Sequence, residues 1–292
     1  MNSTPPGNST PPGNATPESA TPGSTTPGAS ITAEGFGAEG PRGWTFRDVR
    51  VTADPGSLVA IEGPSGSGRT CLLLALTGRM RPTAGRAAVA GLALPRQMAA
   101  VRRLSALAHV PGVSELDPAL TVAEHLRERA LLERRFGGSL RALLRPRAQR
   151  AVEAREGIDA ALRGAGLDPA ALVKGERTAV RDLERLEALR LSVALALLAR
   201  PRLLAIDDAD LKLSAAERDE AWALLRSVAA GGTTVLTVCS EAPPNAVVVS
   251  TAPRAERPEP EAETGEAAER EEAARADDEE GAADAFAETG RS

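Results

Sequence analysis

Residues 63–70 read Gly63-Pro64-Ser65-Gly66-Ser67-Gly68-Arg69-Thr70, with the apolar run Leu58-Val59-Ala60-Ile61 before them and a second apolar stretch, Cys71 to Leu76, after them. Glycine lets a backbone turn so that several N–H groups face inward, and a helix opening at the end of the loop adds the positive end of its dipole. Together they bind phosphate. The spacing is that of a phosphate-binding P-loop, G-x-x-x-x-G-K-[ST], with Arg69 in the place of lysine. Lysine reaches outer phosphates as a slim point charge, whereas guanidinium is a wide planar fork, so Arg69 keeps the charge and alters the fit. A glycine-rich turn without a ligand would not need glycines at these offsets, a strand before, a helix after and Thr70 in register. Residues Gly63 to Thr70 and the adjoining Cys71 are therefore the expected phosphate-binding set.

A second group of chemically able residues follows another apolar run, Leu203-Leu204-Ala205-Ile206, which ends in Asp207-Asp208. A strand ending in an acid is common and means little alone. Beside a P-loop it supplies what magnesium needs: Thr70 ligates the ion through its hydroxyl and Asp207 holds it through water.

The elements that must position these residues alternate. Trp44 to Val51 reads as a strand, Asp54-Pro55-Gly56 as the turn into the strand before the loop, and residues 71–76 as a helix. Pro82 to Gly85 is a turn, a short strand lies around Val89, residues 97–104 look helical, and Ala106 to Val110 is a short buried strand closed by Pro111-Gly112. Helical pattern then dominates. Val122 to Phe136 has Thr121 as N-cap with Glu124 completing a capping box, and a Gly137-Gly138 break ends it. Ala148 to Arg163 follows, and Leu183, Leu186, Leu189, Val193 and Leu197 recur at helical spacing. Ser214, with Glu217, caps a helix through Val228, and Thr233 to Val238 is a buried strand. Strands alternating with helices imply a parallel sheet covered on both faces, and the long helical stretch between residues 112 and 200 implies a second lobe.

The ends of the 292-residue chain differ from its middle. Residues 1–30 are a Ser, Thr, Pro, Gly and Asn repeat expected to be disordered, and the Asn-x-Thr triplets at Asn2, Asn8 and Asn14 read as coincidences of that repeat. Of the chain's 40 acidic residues 14 lie in residues 253–292, and of its 35 basic residues 5, leaving 26 and 30 elsewhere. The C-terminal segment is thus expected to be an acidic disordered tail, and residues 31–252 a single folded domain. No basic stripe marks a nucleic-acid surface, so nucleic acid is not an expected partner. The longest apolar run, residues 191–199, is too short to span a membrane and sits between Arg190 and Arg200. Two cysteines, Cys71 and Cys239, form no metal or disulfide pattern and fit a reducing cytoplasm. There are 2 lysines, Lys174 and Lys212, against 33 arginines, a bias that by itself could have replaced a lysine at position 69.

With the P-loop and Asp207 in place, residues 41–241 resemble the nucleotide-binding subunit of ATP-binding cassette (ABC) transporters. The resemblance rests on Asp54 to Glu62, the P-loop, Pro82 to Gly91, the stretch Leu116 to Leu126, and above all VALALLARPRLLAID, Val193 to Asp207. It implies a RecA-like P-loop NTPase core, α/β with a mostly parallel sheet and an inserted helical subdomain at about residues 112–200. It further implies ATP and Mg2+ as ligands, Asp208 in the place of the catalytic glutamate, and Thr70 and Asp207 as metal residues. The departures are in the family's chemical positions. The Q-loop glutamine falls on Gly112. The signature LSGGQ falls on Leu183-Glu184-Arg185-Leu186-Glu187, where the glycines needed for close approach are gone and two carboxylates would face phosphate. The D-loop SALD reads Leu211-Lys212-Leu213-Ser214, and the switch histidine is Ser240. His109 and His125 lie elsewhere and read as structural. Trp44 is the candidate for the aromatic that stacks on adenine, with core packing as its simpler role.

What the resemblance implies is an ATP-binding subunit of weak or partner-dependent hydrolysis, paired with a second nucleotide-binding subunit and coupled to an integral membrane protein. Its place would be the cytoplasm, at the inner face of the membrane through that partner. The alternatives are an ordinary transport ATPase, a non-catalytic scaffold, and a P-loop kinase, whose loop often reads the same way.

Overall fold

The computed structural model describes residues 27–136 and 146–252 of the chain. The expected tails at 1–26 and 253–292 and the Gly137-Gly138 break lie outside the described residues.

The central sheet has five parallel strands in the order β6-β7-β8-β3-β9, where β3 is Leu58–Glu62, β6 Ser105–Leu107, β7 Leu203–Ile206, β8 Thr234–Val238 and β9 Val247–Ser250. These strands are continuous apolar runs because both faces are covered. Leu58, Ala60, Leu204, Ile206 and Val235 face one hydrophobic cluster, and their neighbours Val59, Ile61, Leu203, Ala205 and Leu236 face the other. Residues alternate between the two faces because the side-chain period of a strand is two.

On the second face lie α1 (Arg69–Leu76), α2 (Met98–Leu104) and a separate antiparallel sheet, order β2-β1-β4-β5. Its strands are β1 (Ile31–Gly40), β2 (Gly43–Ala53), β4 (Ala84–Val89) and β5 (Leu92–Leu94). The sequence reading contains β2 and β4 but neither β1 nor β5. β1 is ITAEGFGAEG, glycine-rich and interrupted by register shifts, and it becomes a strand because β2 and β4 pair with it on both sides. β9 is likewise absent from that reading: it is four residues long, and its pairing with β3 places it.

The first face is covered by α3 (Val122–Phe136), α4 (Arg147–Gly164), α5 (Arg185–Leu197) and α6 (Ala215–Ala230). The expected capping boxes are present. Thr121 N–H donates to Glu124 Oε2 at 2.7 Å and Glu124 N–H to Thr121 Oγ1 at 3.3 Å, and Ser214 and Glu217 do the same at 2.8 and 3.3 Å. Among the described residues the helical lobe shares the core of the sheet: Val122 and Leu126 of α3, Leu162 of α4 and Leu186 and Leu189 of α5 lie in one cluster with Ala60, Leu204 and Val235.

Residues 27–30, expected in the N-terminal tail, belong to the fold. Ala29 is buried, its N–H donates to Arg202 O at 3.0 Å, and Thr234 Oγ1 donates to its carbonyl at 2.7 Å. These bonds lie where β7 and β8 begin, so the chain enters beneath the sheet, at the end away from the P-loop. The loop after β3 and the acids after β7 both sit at the carboxyl ends of the parallel strands, with β8 between them. That is the edge where open α/β sheets hold ligands.

Candidate phosphate and metal site

The loop between β3 and α1 is held by its own glycines and by two distant strands. Gly66 and Gly68 are left-handed, φ 81° and 82°. A Cβ at Gly68 would run into the carbonyl of Thr45 on β2, so only glycine fits there. Ser67 N–H donates to Pro64 O at 3.1 Å, and its hydroxyl meets Thr251 Oγ1 at 2.6 Å just past β9. Pro64, Ser65 and Gly66 are exposed, and α1 begins at Arg69 with the unpartnered N–H groups that any helix start carries. The arrangement suits an anion. Cys71 lies half-buried in the first turn of α1, its thiol pushed up by burial and by Asp207.

Thr70 and Asp207, expected to share a metal, are in direct contact. Thr70 Oγ1 donates to Asp207 Oδ2 at 2.6 Å, and Asp208 N–H donates to Asp207 Oδ1 at 3.0 Å. Asp207 is buried, and burial raises its carboxyl above the usual range, against the opposing pull of the Thr70 bond. Two oxygen donors in contact, one a desolvated carboxylate, fit a hard divalent cation such as magnesium. Asp208 is half-buried with φ 50°, a left-handed backbone that Asp tolerates better than most residues.

Arg69 behaves otherwise. Its Nη1 donates to Cys239 O at 2.9 Å, at the end of β8. One donor of the loop's only cation is thus engaged by the protein itself.

Residues 46–210 match the family model described as ABC transporter. The chain belongs to this family. It is 30% identical over 189 residues to Nod factor export ATP-binding protein I of Cupriavidus metallidurans, covering 65% of this chain and 55% of that protein. It is 33% identical over 190 residues to daunorubicin resistance ATP-binding protein DrrA3 of Streptomyces coeruleorubidus, covering 65% and 52%. The chain spans little more than half the length of these relatives. Among solved structures it is similar in fold to cbiO1 of Clostridium perfringens, part of the ABC transporter complex cbiONQ: TM-score 0.59, 17% identity, 73% of this chain and 79% of that one. A dimeric bacterial ABC transporter cassette gives TM-score 0.58 at 18% identity, with 76% and 94% covered.

As an ABC chain, this protein departs from its family at positions that the structure now places. Gly112, at the Q-loop position, is left-handed, φ 72°, and its N–H donates to Glu115 Oε1 at 2.7 Å. The stretch at the signature position, Leu183 to Glu187, runs into the first turn of α5. Glu184 N–H donates to Glu187 Oε2 at 2.9 Å, so one of the two carboxylates expected to face phosphate folds back to cap its own helix. Leu186 is 6% exposed and belongs to the core. Ser240, at the switch position, donates its N–H to Asp210 Oδ2 at 2.9 Å. Glu62, the last residue of β3, accepts the N–H of Ala242. Glu62 and Asp210 were not singled out by sequence, although an acid closing an apolar strand and a third acid after Asp207-Asp208 were visible signals.

His125 reads as expected, its ring nitrogen Nε2 lying 3.2 Å from Asp117 O. His109 stands closer to the site: its carbonyl takes Asp207 N–H at 2.7 Å, and burial, then Arg185, lower the pKa of its ring. Trp44 is not a core residue. It is 46% exposed, it packs over Gly37, and its chain neighbour Thr45 abuts Gly68 of the loop, whereas Phe36 and Phe46 are buried in the core on this face of the sheet.

Proposed function

We propose that this chain is an ATP-binding subunit that takes MgATP into the 63–71 loop and hydrolyses it weakly, or only with a partner's help, in the service of a separate membrane protein. The observation that carries the reading is an asymmetry between two halves of the family's machinery. The binding half is kept: glycine turns at 66 and 68, the start of α1, and the 2.6 Å contact of Thr70 with Asp207. The half offered to a neighbouring cassette is rebuilt for structure, with Glu187 capping α5 and Leu186 in the core.

In this reading the loop's N–H groups orient the phosphates, and Thr70 and Asp207 hold the metal. Magnesium, when bound, supplies the charge that neutralises the terminal phosphates. Asp208 orients the attacking water, with a carboxylate one methylene shorter than glutamate. Trp44, exposed beside the loop, offers its face to the adenine. Because Leu183–Glu187 cannot cap a neighbour's nucleotide, a working site forms when a second nucleotide-binding subunit supplies its own signature to this P-loop. The relatives named for export support a membrane partner and a cytoplasmic position at its inner face. Among the described residues no helix is long and apolar enough to cross a membrane, so the crossing falls to another segment or chain. The kinase alternative loses its support with membership of the ABC family.

Titration of MgATP into the full chain by calorimetry, with steady-state turnover measured on the same sample, tests the proposal. Expected are binding and negligible turnover. Brisk turnover by the isolated protein would make it an ordinary transport ATPase. No heat at millimolar nucleotide would leave a cassette fold kept for its surfaces.

A further inference from the structure

The turn after β8 is held at three successive points by side chains from three different segments. Arg69 Nη1, from the P-loop, donates to Cys239 O at 2.9 Å. Asp210, from the segment after β7, accepts Ser240 N–H at 2.9 Å. Glu62, from the end of β3, accepts the N–H of Ala242. Each tie has the right polarity, a guanidinium on a carbonyl and carboxylates on amides, and charge-assisted bonds of this kind are roughly twice as strong as neutral ones. Asp210 is 8% exposed, and among the described residues its second oxygen, Oδ1, finds no donor, so its desolvation is compensated by the Ser240 bond alone. The Cys239 thiol is buried in their midst and pushed up to about 12 by burial first, then by Asp210 and Glu62. Magnesium and phosphate chemistry accounts for neither Asp210 nor Glu62.

The same segment is also tied at its far end. Thr251, one residue past β9, meets Ser67 Oγ at 2.6 Å. Residues 239–251 therefore start on Arg69 and finish on Ser67, two residues of one phosphate-binding loop.

We propose that Arg69, Asp210 and Glu62 form a latch on residues 239–242, with Arg69 as its movable member: a phosphate entering the 63–70 loop competes with Cys239 O for the guanidinium and frees the turn. This rests on the nucleotide-binding reading above. A carbonyl is a neutral acceptor and a nucleotide phosphate a charged one, so the phosphate wins the competition. While Nη1 donates to Cys239 O, that donor is not available to a phosphate. Ser240 itself brings no charge to the turn, so the loop's own cation is the link between phosphate and turn.

The test is hydrogen exchange at the Ser240 and Ala242 amides of the full chain, with and without MgATP, and in Arg69→Met without nucleotide. Exchange in β7 serves as the internal reference. Losing the Arg69 tie is expected to speed exchange at both amides about tenfold in Arg69→Met, and MgATP is expected to do the same to the unaltered protein. Unchanged exchange in Arg69→Met overturns the latch. Unchanged or slower exchange in the unaltered protein, at MgATP concentrations where calorimetry shows binding, overturns its release. No calorimetric binding overturns the nucleotide reading and with it the trigger, while the latch stands or falls on the nucleotide-free comparison. Should Arg69→Met fail to fold, Asp210→Ala reads the second tie, with faster exchange at Ser240 expected and an unchanged rate against the latch.

Discussion

Thr70 Oγ1 donates to Asp207 Oδ2 across 2.6 Å, joining the first turn of α1 to the end of β7. The contact brings together a hydroxyl and a carboxylate whose charge burial disfavours, which is a poor choice for stability alone and a good one for a divalent cation.

Asp207→Asn should separate those two roles. The amide can keep both local bonds, its oxygen accepting Asp208 N–H and its NH2 donating to a Thr70 hydroxyl that turns acceptor, while the buried charge disappears. The nucleotide-free melting temperature should therefore hold or rise, and MgATP affinity should fall about tenfold or more. A melting temperature lower by several degrees would show that the carboxylate is structural.

Raising the pH should loosen the fold through Cys239. Its thiol is raised from 9.0 to about 12 in the folded chain, so the unfolded chain ionises first. The stability tied to this group is complete below pH 9 and is lost as pH climbs from 9 toward 12, by up to about 1.4 kcal/mol per pH unit. The chain has no tyrosine and 2 lysines, and two other groups are moved toward or within that window, the Cys71 thiol, raised by burial, and the Arg79 guanidinium, lowered to about 10 by burial, so the comparison with Cys239→Ala is what isolates this thiol. Urea midpoints measured on both sides of pH 9 should fall in the unaltered protein and fall less in Cys239→Ala; parallel curves would exclude the thiol as the cause.

Restoring a glycine of the signature should damage the protein before it can help it. Leu186 is 6% exposed and packed with Leu189 and the sheet, so Leu186→Gly opens a cavity under the first turn of α5. A loss of about 3 kcal/mol or more is expected by urea unfolding. A loss under about 1 kcal/mol would mean that the stretch still has the freedom of a phosphate cradle.

Trp44 should report on the site at little structural cost. It is 46% exposed while the chain's other tryptophan, Trp222, is buried on α6. In a Trp222→Phe background, MgATP should change the remaining fluorescence, and Trp44→Ala should weaken binding with a stability change below about 1 kcal/mol. An unchanged spectrum at saturating nucleotide would remove Trp44 from the adenine position.

Much of this molecule is legible along the chain because its determinants are local. The strands β3, β7 and β8 announce themselves as short apolar runs, since a strand buried on both faces needs no polar alternation. Thr121 with Glu124 and Ser214 with Glu217 mark helix starts within four residues, and the glycines of residues 63–68 specify a loop that only a few backbone conformations can form. The nearness of Thr70 and Asp207 was legible too, since the parallel strands β3 and β7 end at the same edge of the sheet.

Tertiary structure decided what those local signals leave open. β1 has too little apolar pattern to be a strand alone and becomes one between β2 and β4. Trp44 could have been core or surface, and the packing of Phe36 and Phe46 filled the core without it. Arg69 could have pointed at phosphate, yet it donates to a carbonyl 170 residues away, beside amides that Asp210 and Glu62 hold. Spacing sets the conformation of a segment, but which distant backbone group a long side chain meets depends on strand order. Here the placing of β8 between β7 and β3 brings Cys239 within reach of the loop.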